Sequence, residues 1–478
     1  MSDERQTHPV RSLIKWIGVL GLMVALLLLA SAFAFRRNSL AVPNVQPFDV
    51  DSFTSFTIAD QRNAATFYRQ ALPLFVEQKV VFSKGGPQVE AFDKSYNEAV
   101  STDWKFANEN VRRWLELNRA AIETWKRGSE LDDCLVIRPD LVHLTTDISV
   151  STAAGQFGRL AVLEAARLTA AGHLDEAWNW YRAVLRSGRH MARHAAWIPR
   201  FVGGHLQAIA TEAIVPWSGH PELTSAQLHK ILDETLAIDA MTPPASDCYK
   251  AEYLATVNIY LETEASLGGV GTLFNLLGAR ERSLRSLRLV FANWLGQVDR
   301  PRFERTAIRP GPPELYERDP SAPLGFFSAE EIQSYCALSS SRPDNVVLKI
   351  IMPSGLNAVD ALDREQVRRS GLILTLALEL FYREHKELPP DLSALVQAGY
   401  LKSIPADPFG KGEPFRYRRS ANAAEGGLVW SVWLDGIDQD GKLCVEPYSP
   451  ESSPGDKCFV IRVPPARKAP STDSQKRP

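Results

Sequence analysis

The sequence predicts a mainly α-helical domain followed by a small α+β domain, in which a helix packs on a short antiparallel sheet, with one transmembrane helix ahead of both. Three observations point there. Residues 16–35 are apolar and uncharged. From about residue 52 to 308 apolar residues recur at helical spacing. After about residue 356 a helical period gives way to turn signals and alternating strands. On this reading the chain divides into a tail (1–15), an anchor (16–35), a linker (36–51), a helical domain (52–308), an extended connection (309–355), an α+β domain (356–465) and a disordered tail (466–478).

The 478 residues, 45% of them hydrophobic, suffice for two or three cores at roughly 100–200 residues per domain. A net charge of −2 creates no field that favours nucleic acid, so none is expected as a partner. None of the five cysteines forms a CxxC pair, which argues against a structural zinc site. Cys444 and Cys458 are the best disulfide candidates if their region faces an oxidising compartment, but spacing alone does not fix their geometry.

The anchor runs from Trp16 to Phe35. At 1.5 Å per residue its 20 residues span a hydrocarbon core of about 30 Å. Ala30-Ser31-Ala32 and Ala32-Phe33-Ala34 also fit signal-peptide cleavage sites, but the run exceeds a signal peptide's apolar region of about 7–15 residues. An uncleaved anchor is therefore expected. Arg5, Arg11 and Lys15 precede it and Arg36 and Arg37 follow, a small bias toward a cytoplasmic N-terminus with the rest of the chain extracytoplasmic.

Pro43 and Pro47 mark the linker. Residues 63–72 then read as a helix, and Val111, Trp114, Leu115, Ile122 and Trp125 define the buried face of another. Gly172 breaks two helical patterns between Leu160 and Leu185, predicting a helical hairpin. The Gly172, Ala177, Tyr181 and Leu185 spacing resembles a tetratricopeptide unit, although Glu164 stands where an apolar residue is expected and no 34-residue repeat follows. An irregular helical domain, whose small and aromatic residues are simply core, is therefore expected rather than a repeat solenoid.

His190 and His194 stand four apart, a spacing that puts two imidazoles on one helix face. No glutamate base accompanies them and Arg189 and Arg193 add positive charge, so solvated or capping histidines are expected. The glycine-rich run from Ser266 to Gly271 lacks a phosphate-loop ending. Arg280, Arg282, Arg285 and Arg288 accompany Leu284, Leu287 and Phe291 on a basic amphipathic helix, which suits either a membrane surface or a solvated face. No nucleophile–base spacing stands out.

In the last domain, residues 367–385 form a helix with a wide apolar stripe that Leu388-Pro389-Pro390 stops. Asp391 reads as the N-cap of a short helix and Gly399 as its C′ residue. Asp407-Pro408-Phe409-Gly410 is a turn. Phe415 and Tyr417, then Leu428 to Trp433, alternate as paired strands.

This order, with Leu388-Pro389, Tyr400-Leu401, Ile404-Pro405, Asp407-Pro408-Phe409-Gly410, Pro414, Tyr417, Ser431 and Asp435-Gly436, resembles the globular domain of the type II secretion major pseudopilin over about residues 365–445. Pseudopilins place their membrane helix directly before this domain; here it lies more than three hundred residues upstream, with no glutamate and no prepilin-type processing site. With no second apolar run of spanning length a single-pass protein is expected, and the resemblance implies a bacterial inner membrane and a calcium-binding loop after the last strand. Its ligands here would be Asp435, Asp438 and Asp440, with Gly436 and Gly441 allowing the tight curve. Calcium takes six to eight oxygens, so a solvated acidic turn stands as the alternative.

The expected function is a membrane-anchored extracytoplasmic binding or scaffold protein without catalytic activity. The helical domain would carry any protein partner. A component associated with a type II secretion-like apparatus and an enzyme with its site in the helical domain are the alternatives.

Overall fold

The computed structural model describes residues 8–40, 44, 46–82, 87–266, 268–269, 278–305, 346–420, 426–445 and 454–462. The tail beyond 466, most of the expected extended connection and the end of the glycine-rich run lie outside these residues. The structure is mostly helical with one small antiparallel sheet. It divides into two compact units: residues 1–50, 253–297 and 306–356 in one, and 51–252, 298–305 and 357–478 in the other.

The first unit contains α1 (His8–Leu40). Its segment Lys15–Ala34 is long and apolar enough to cross a membrane, and its large side chains, such as Leu20, Leu28 and Phe33, are exposed. Apolar surface of this extent lowers its free energy in lipid rather than water.

The second unit opens with a short helix, α2 (Val50–Thr54), then α3 (Ala64–Ala71), α4 (Pro87–Ser101), α5 (Glu109–Leu117) and α6 (Arg119–Ser129). Asn63 caps α3, its Oδ1 accepting the Ala65 N–H at 3.1 Å and the Leu135 N–H at 3.0 Å. The expected stripe from Val111 to Trp125 is buried, but on two helices. The break is Asn118, fully buried, which accepts the Val76 N–H at 2.8 Å and donates to the Val76 carbonyl at 3.0 Å. Its amide takes up backbone groups that would otherwise be buried without partners.

The hairpin follows as α7 (Ser149–Ala170) and α8 (Leu174–Ala192). Gly172 sits at φ +82° between them, a conformation that glycine adopts without a Cβ clash. Ala177, Tyr181 and Leu185 are buried as expected, and so is Glu164. Arg167 satisfies that carboxylate with two bonds of 2.7 Å. Next come α9 (Trp197–Ser218), α10 (Ser225–Ala240) and α11 (Ala245–Ser266), the last continuing into the first unit. Helices α8 and α9 approach at Gly188 and Gly203, where a Cβ on Gly203 would stand 2.5 Å from the Gly188 carbonyl oxygen.

In the first unit, α12 (Ala279–Leu295) buries Leu287 and Phe291 as its pattern requires. Arg285 pairs with Glu281 at 2.7 Å and Arg280 with Glu264 at 3.5 Å, so its basic residues are partly neutralised.

α13 (Val346–His385) is longer at its start than the expected 367–385 helix and runs through the expected boundary between residues 355 and 356, so residues 346–355 are helical rather than extended. From residue 358 to 380 it is buried on almost every side: Leu372, Leu374, Leu376, Ala377, Leu378 and Leu380 are all 1% exposed or less. From Val367 on, it belongs to one hydrophobic core with α3–α10. After it, Asp391 accepts the Ser393 N–H at 2.9 Å and opens α14 (Ser393–Gln397), and Gly399 ends the turn at φ +79°. The strands are β1 (Arg416–Arg419), β2 (Gly427–Ser431) and β3 (Lys457–Ile461), antiparallel in that order. β3 has no counterpart in the sequence reading. It pairs Val429 with Phe459 and Gly427 with Ile461, and the Val429, Phe459 and Ile461 side chains are buried in the core.

Candidate functional site

The three expected calcium ligands lie in the loop after β2. Asp435 accepts the Ile437 N–H at 3.0 Å, the Gln439 amide at 2.9 Å and the Gly455 N–H at 3.1 Å. Asp438 accepts the Trp430 indole N–H at 2.9 Å, the Asp440 N–H at 2.9 Å and the Arg416 Nε–H at 3.3 Å. Asp440 pairs with Lys442 at 2.9 Å. Burial pushes the Asp435 and Asp438 carboxyls up, but these donors outweigh it and hold both below the usual carboxylate range. The loop closes through Gly436, Asp440 and Gly441, all at positive φ. Buried Asp456 braces it by accepting the Gly441 N–H at 2.8 Å. Among the described residues, no group of three or more His, Cys, Asp or Glu side chains stands where it could hold a metal ion.

The two histidines part company. α8 ends at Ala192, and His194 lies beyond it at φ +46°, so a shared helix face does not form. His190 is buried, its Nδ1 2.6 Å from the Tyr68 hydroxyl, and burial lowers its pKa to about 3, leaving it neutral rather than solvated. His194 packs between Phe53 and Phe56, and its backbone N–H donates to Asp247 at 2.6 Å.

A cleft of about 690 Å³ in the second unit, larger than a second cleft of about 380 Å³ beside Trp104, Trp217 and His220, has the dimensions of a binding site. Its walls come from α9, the end of α10, residues 298–305, α13 and the turn at 406–412. Small-molecule sites typically measure about 300–1,000 Å³. Five arginines line it: Arg200, Arg300, Arg302, Arg305 and Arg369. Pro243, Pro244, Pro301, Phe303 and Leu362 supply apolar surface.

Behind the cleft lies Glu365 of α13, 2% exposed. Arg189 donates to its Oε1 at 2.7 Å, and Arg200 donates to its Oε2. The Arg369 Nε is 3.8 Å from Oε1, and Arg369 also bonds Asp239. Burial alone would raise the Glu365 pKa, but Arg200, Arg189 and Arg369 together hold it at about 2. Burial lowers Arg189 to about 10 against the pull of Glu365. Arg189 spends further donors on Thr242 at 2.8 Å and Gln207 at 3.0 Å.

A second ionic group holds residues 298–305 on α13. Arg305 grips Asp363 with bonds of 2.8 and 3.0 Å, and Arg302 reaches the same carboxylate at 2.9 Å. Arg302 also lies 4.8 Å from the Phe409 ring centre. The expected turn thus forms one wall. Its Asp407 is fully buried and accepts the Phe409 N–H at 3.1 Å, the Ser431 hydroxyl at 2.7 Å and the Val432 N–H at 2.9 Å. Those bonds fasten the turn to β2, so Asp407 is a positioning residue. No family model, curated protein or solved structure matches this chain.

The sequence reading missed the cluster around Glu365. A signal was present: Asp363 and Glu365, with Arg369 four residues on, interrupt the start of an otherwise apolar helix. The Glu365 partners Arg189 and Arg200 lie 176 and 165 residues away, a distance that periodicity does not bridge.

Proposed function

We propose that this is a membrane-anchored binding protein, held by α1, with its globular part on the extracytoplasmic side. The observation that carries the binding role is the cleft: its volume, and its mixture of clamped arginines with proline and phenylalanine surface, suit recognition rather than packing alone. The Cys444–Cys458 disulfide supports the placement, since such bonds persist in oxidising compartments. A long helix, a short helix, the Asp407 turn and an antiparallel sheet, in that order, support reading residues 365–445 as a pseudopilin-type module. The Asp435–Gly441 loop would be its calcium site, and the ion would have to displace Arg416 and Lys442 from Asp438 and Asp440.

Topology is tested on cells that carry the full chain with a C-terminal epitope. External protease removes the epitope if the reading holds. Protection of the epitope, together with free Cys444 and Cys458 thiols, would overturn it. Calcium is tested by titrating the purified chain. A rise in melting temperature that magnesium does not reproduce, and that Asp438→Asn removes, supports the ion site; an unchanged melting temperature counts against it.

A further inference from the structure

We infer that the cleft takes an organic oxyanion, a carboxylate or phosphate carried on an apolar body. This rests on reading the cleft as a binding site. Formal charge does not carry the inference, because Asp239, Asp299, Asp363 and Asp407 also line the cleft and nearly balance its arginines. What carries it is which hydrogen-bonding groups are already used.

Most of the carboxylate oxygens are turned toward the protein. Both oxygens of Asp363 receive guanidinium donors from Arg302 and Arg305. Both oxygens of Asp407 receive donors from its own turn and from β2. Asp299 accepts the Ser246 N–H at 2.8 Å and Asp239 accepts from Arg369, each through Oδ1 alone among the described residues. Glu365 behind them is held at both oxygens.

The donors are in excess. Each guanidinium carries five N–H groups. Among the described residues, Arg200 and Arg302 bond through Nη1 alone, and Arg369 likewise makes its one hydrogen bond, to Asp239, through Nη1. The Nε atoms of Arg200 and Arg369 are buried without a hydrogen-bond partner. Arg200 is 3% exposed, so its guanidinium is fixed in the wall. Arg300 is exposed and has no ion-pair partner among the described residues. The donors a ligand can reach are therefore those of exposed Arg300 and of part-exposed Arg302, which bonds through Nη1 alone, although the local charge nearly cancels.

An anion supplies acceptors for these free donors, and Arg presents its planar fork to carboxylate or phosphate oxygens better than Lys does. The volume exceeds what a bare inorganic ion fills. Phe303, half exposed at the rim, and the neighbouring prolines give an apolar body something to cover.

The test uses the full-length chain in detergent, with calorimetric titration at constant chloride. The probes are phenyl phosphate, benzoate and the neutral benzyl alcohol. Binding of phenyl phosphate or benzoate, weakened about tenfold in Arg300→Ala and again in Phe303→Ala, is the expected result, and the tighter of the two anions identifies the oxyanion. Arg300 makes no ion pair among the described residues, so its variant should keep the wild-type melting temperature, which separates lost binding from lost fold. Equal binding of benzyl alcohol would overturn the oxyanion assignment while leaving the cleft a binding site. Absence of binding by all three probes, or anion binding unchanged in Arg300→Ala, would overturn the assignment outright. Membrane topology is decided separately by the protease experiment.

Discussion

Arg189 of α8 and Glu365 of α13, separated by 176 residues in sequence, meet at 2.7 Å in the interior of the second unit. Buried ion pairs of this kind add little over an apolar replacement, yet removing one partner strands the other. Glu365→Gln should leave Arg189 and Arg200 without their counter-ion and cost about 3–5 kcal/mol in urea unfolding at pH 7. Acid should have a related effect on the wild type. The Glu365 pKa falls from its ordinary 4.5 to about 2 on folding, so its stabilisation is full above 4.5 and is lost as pH drops toward 2. The variant should show a flatter stability profile across that window. A Glu365→Gln profile that matches wild type in both midpoint and slope would refute this account.

Glu379, two turns from the end of α13, has the opposite sign. It is fully buried, with Oε1 accepting the Arg462 N–H at 2.9 Å and Oε2 without a partner. Burial raises its pKa to about 7, against the opposing influence of Arg383 and Arg462. Between 4.5 and about 7 the unfolded chain has lost this proton and the folded chain keeps it, so stability falls as pH rises through that range. Glu379→Gln should match wild type near pH 4.5 and exceed it at pH 8 by roughly 1–3 kcal/mol, measured as unfolding midpoints at both pH values. A variant less stable than wild type at pH 8 would contradict the argument.

Local patterning made much of this fold legible. The apolar run of α1, the glycine at position 172, the stripe of α13 and the caps at Asp391 and Gly399 each depend on residues within a few turns of one another. What remained hidden depends on partners far apart in sequence. Asn118 divides one helical stripe because Val76 needs its amide. β3 is five residues long and pairs with β2 across a gap of 25 residues between Ser431 and Lys457, with turns and the acidic loop between. The cleft was illegible for the same reason: its arginines come from α9, residues 298–305 and α13. The acidic loop was legible as a loop, but the donors Trp430, Arg416 and Lys442 that its carboxylates meet were not.

Gly371 of α13 lets the sheet dock. A Cβ there would lie 2.1–2.5 Å from ring atoms of Phe459 in β3, which is itself 2% exposed. Alanine favours a helix over glycine by about 1 kcal/mol, but overpacking a tight core costs about 1–3 kcal/mol and the Phe459 ring has little room to yield. Gly371→Ala should therefore destabilise. Gly371→Ala combined with Phe459→Leu should lose less than the sum of the two single changes, a coupling that a double-mutant cycle in urea measures directly. Additive effects would mean that the two residues do not meet.

The Cys444–Cys458 bond closes a loop with a sequence separation of 14, with the Cα atoms 5.6 Å apart. Cys444 follows the acidic loop and Cys458 lies in β3, so the bond ties that loop to the strand at the sheet's edge. In the chain-entropy view, a loop of about 15 residues contributes about 3 kcal/mol by restricting the unfolded chain. Cys444→Ser should lower unfolding stability by about that amount, and Cys458→Ser by the same, with the double variant no worse than either single one. Cys134 and Cys248 are buried thiols, and burial pushes both up to about 12, so neither is primed to exchange with the pair. Non-reducing peptide mapping of the purified chain should recover one cross-link, Cys444 to Cys458. Any other pairing, or a double variant markedly less stable than the singles, would break the argument.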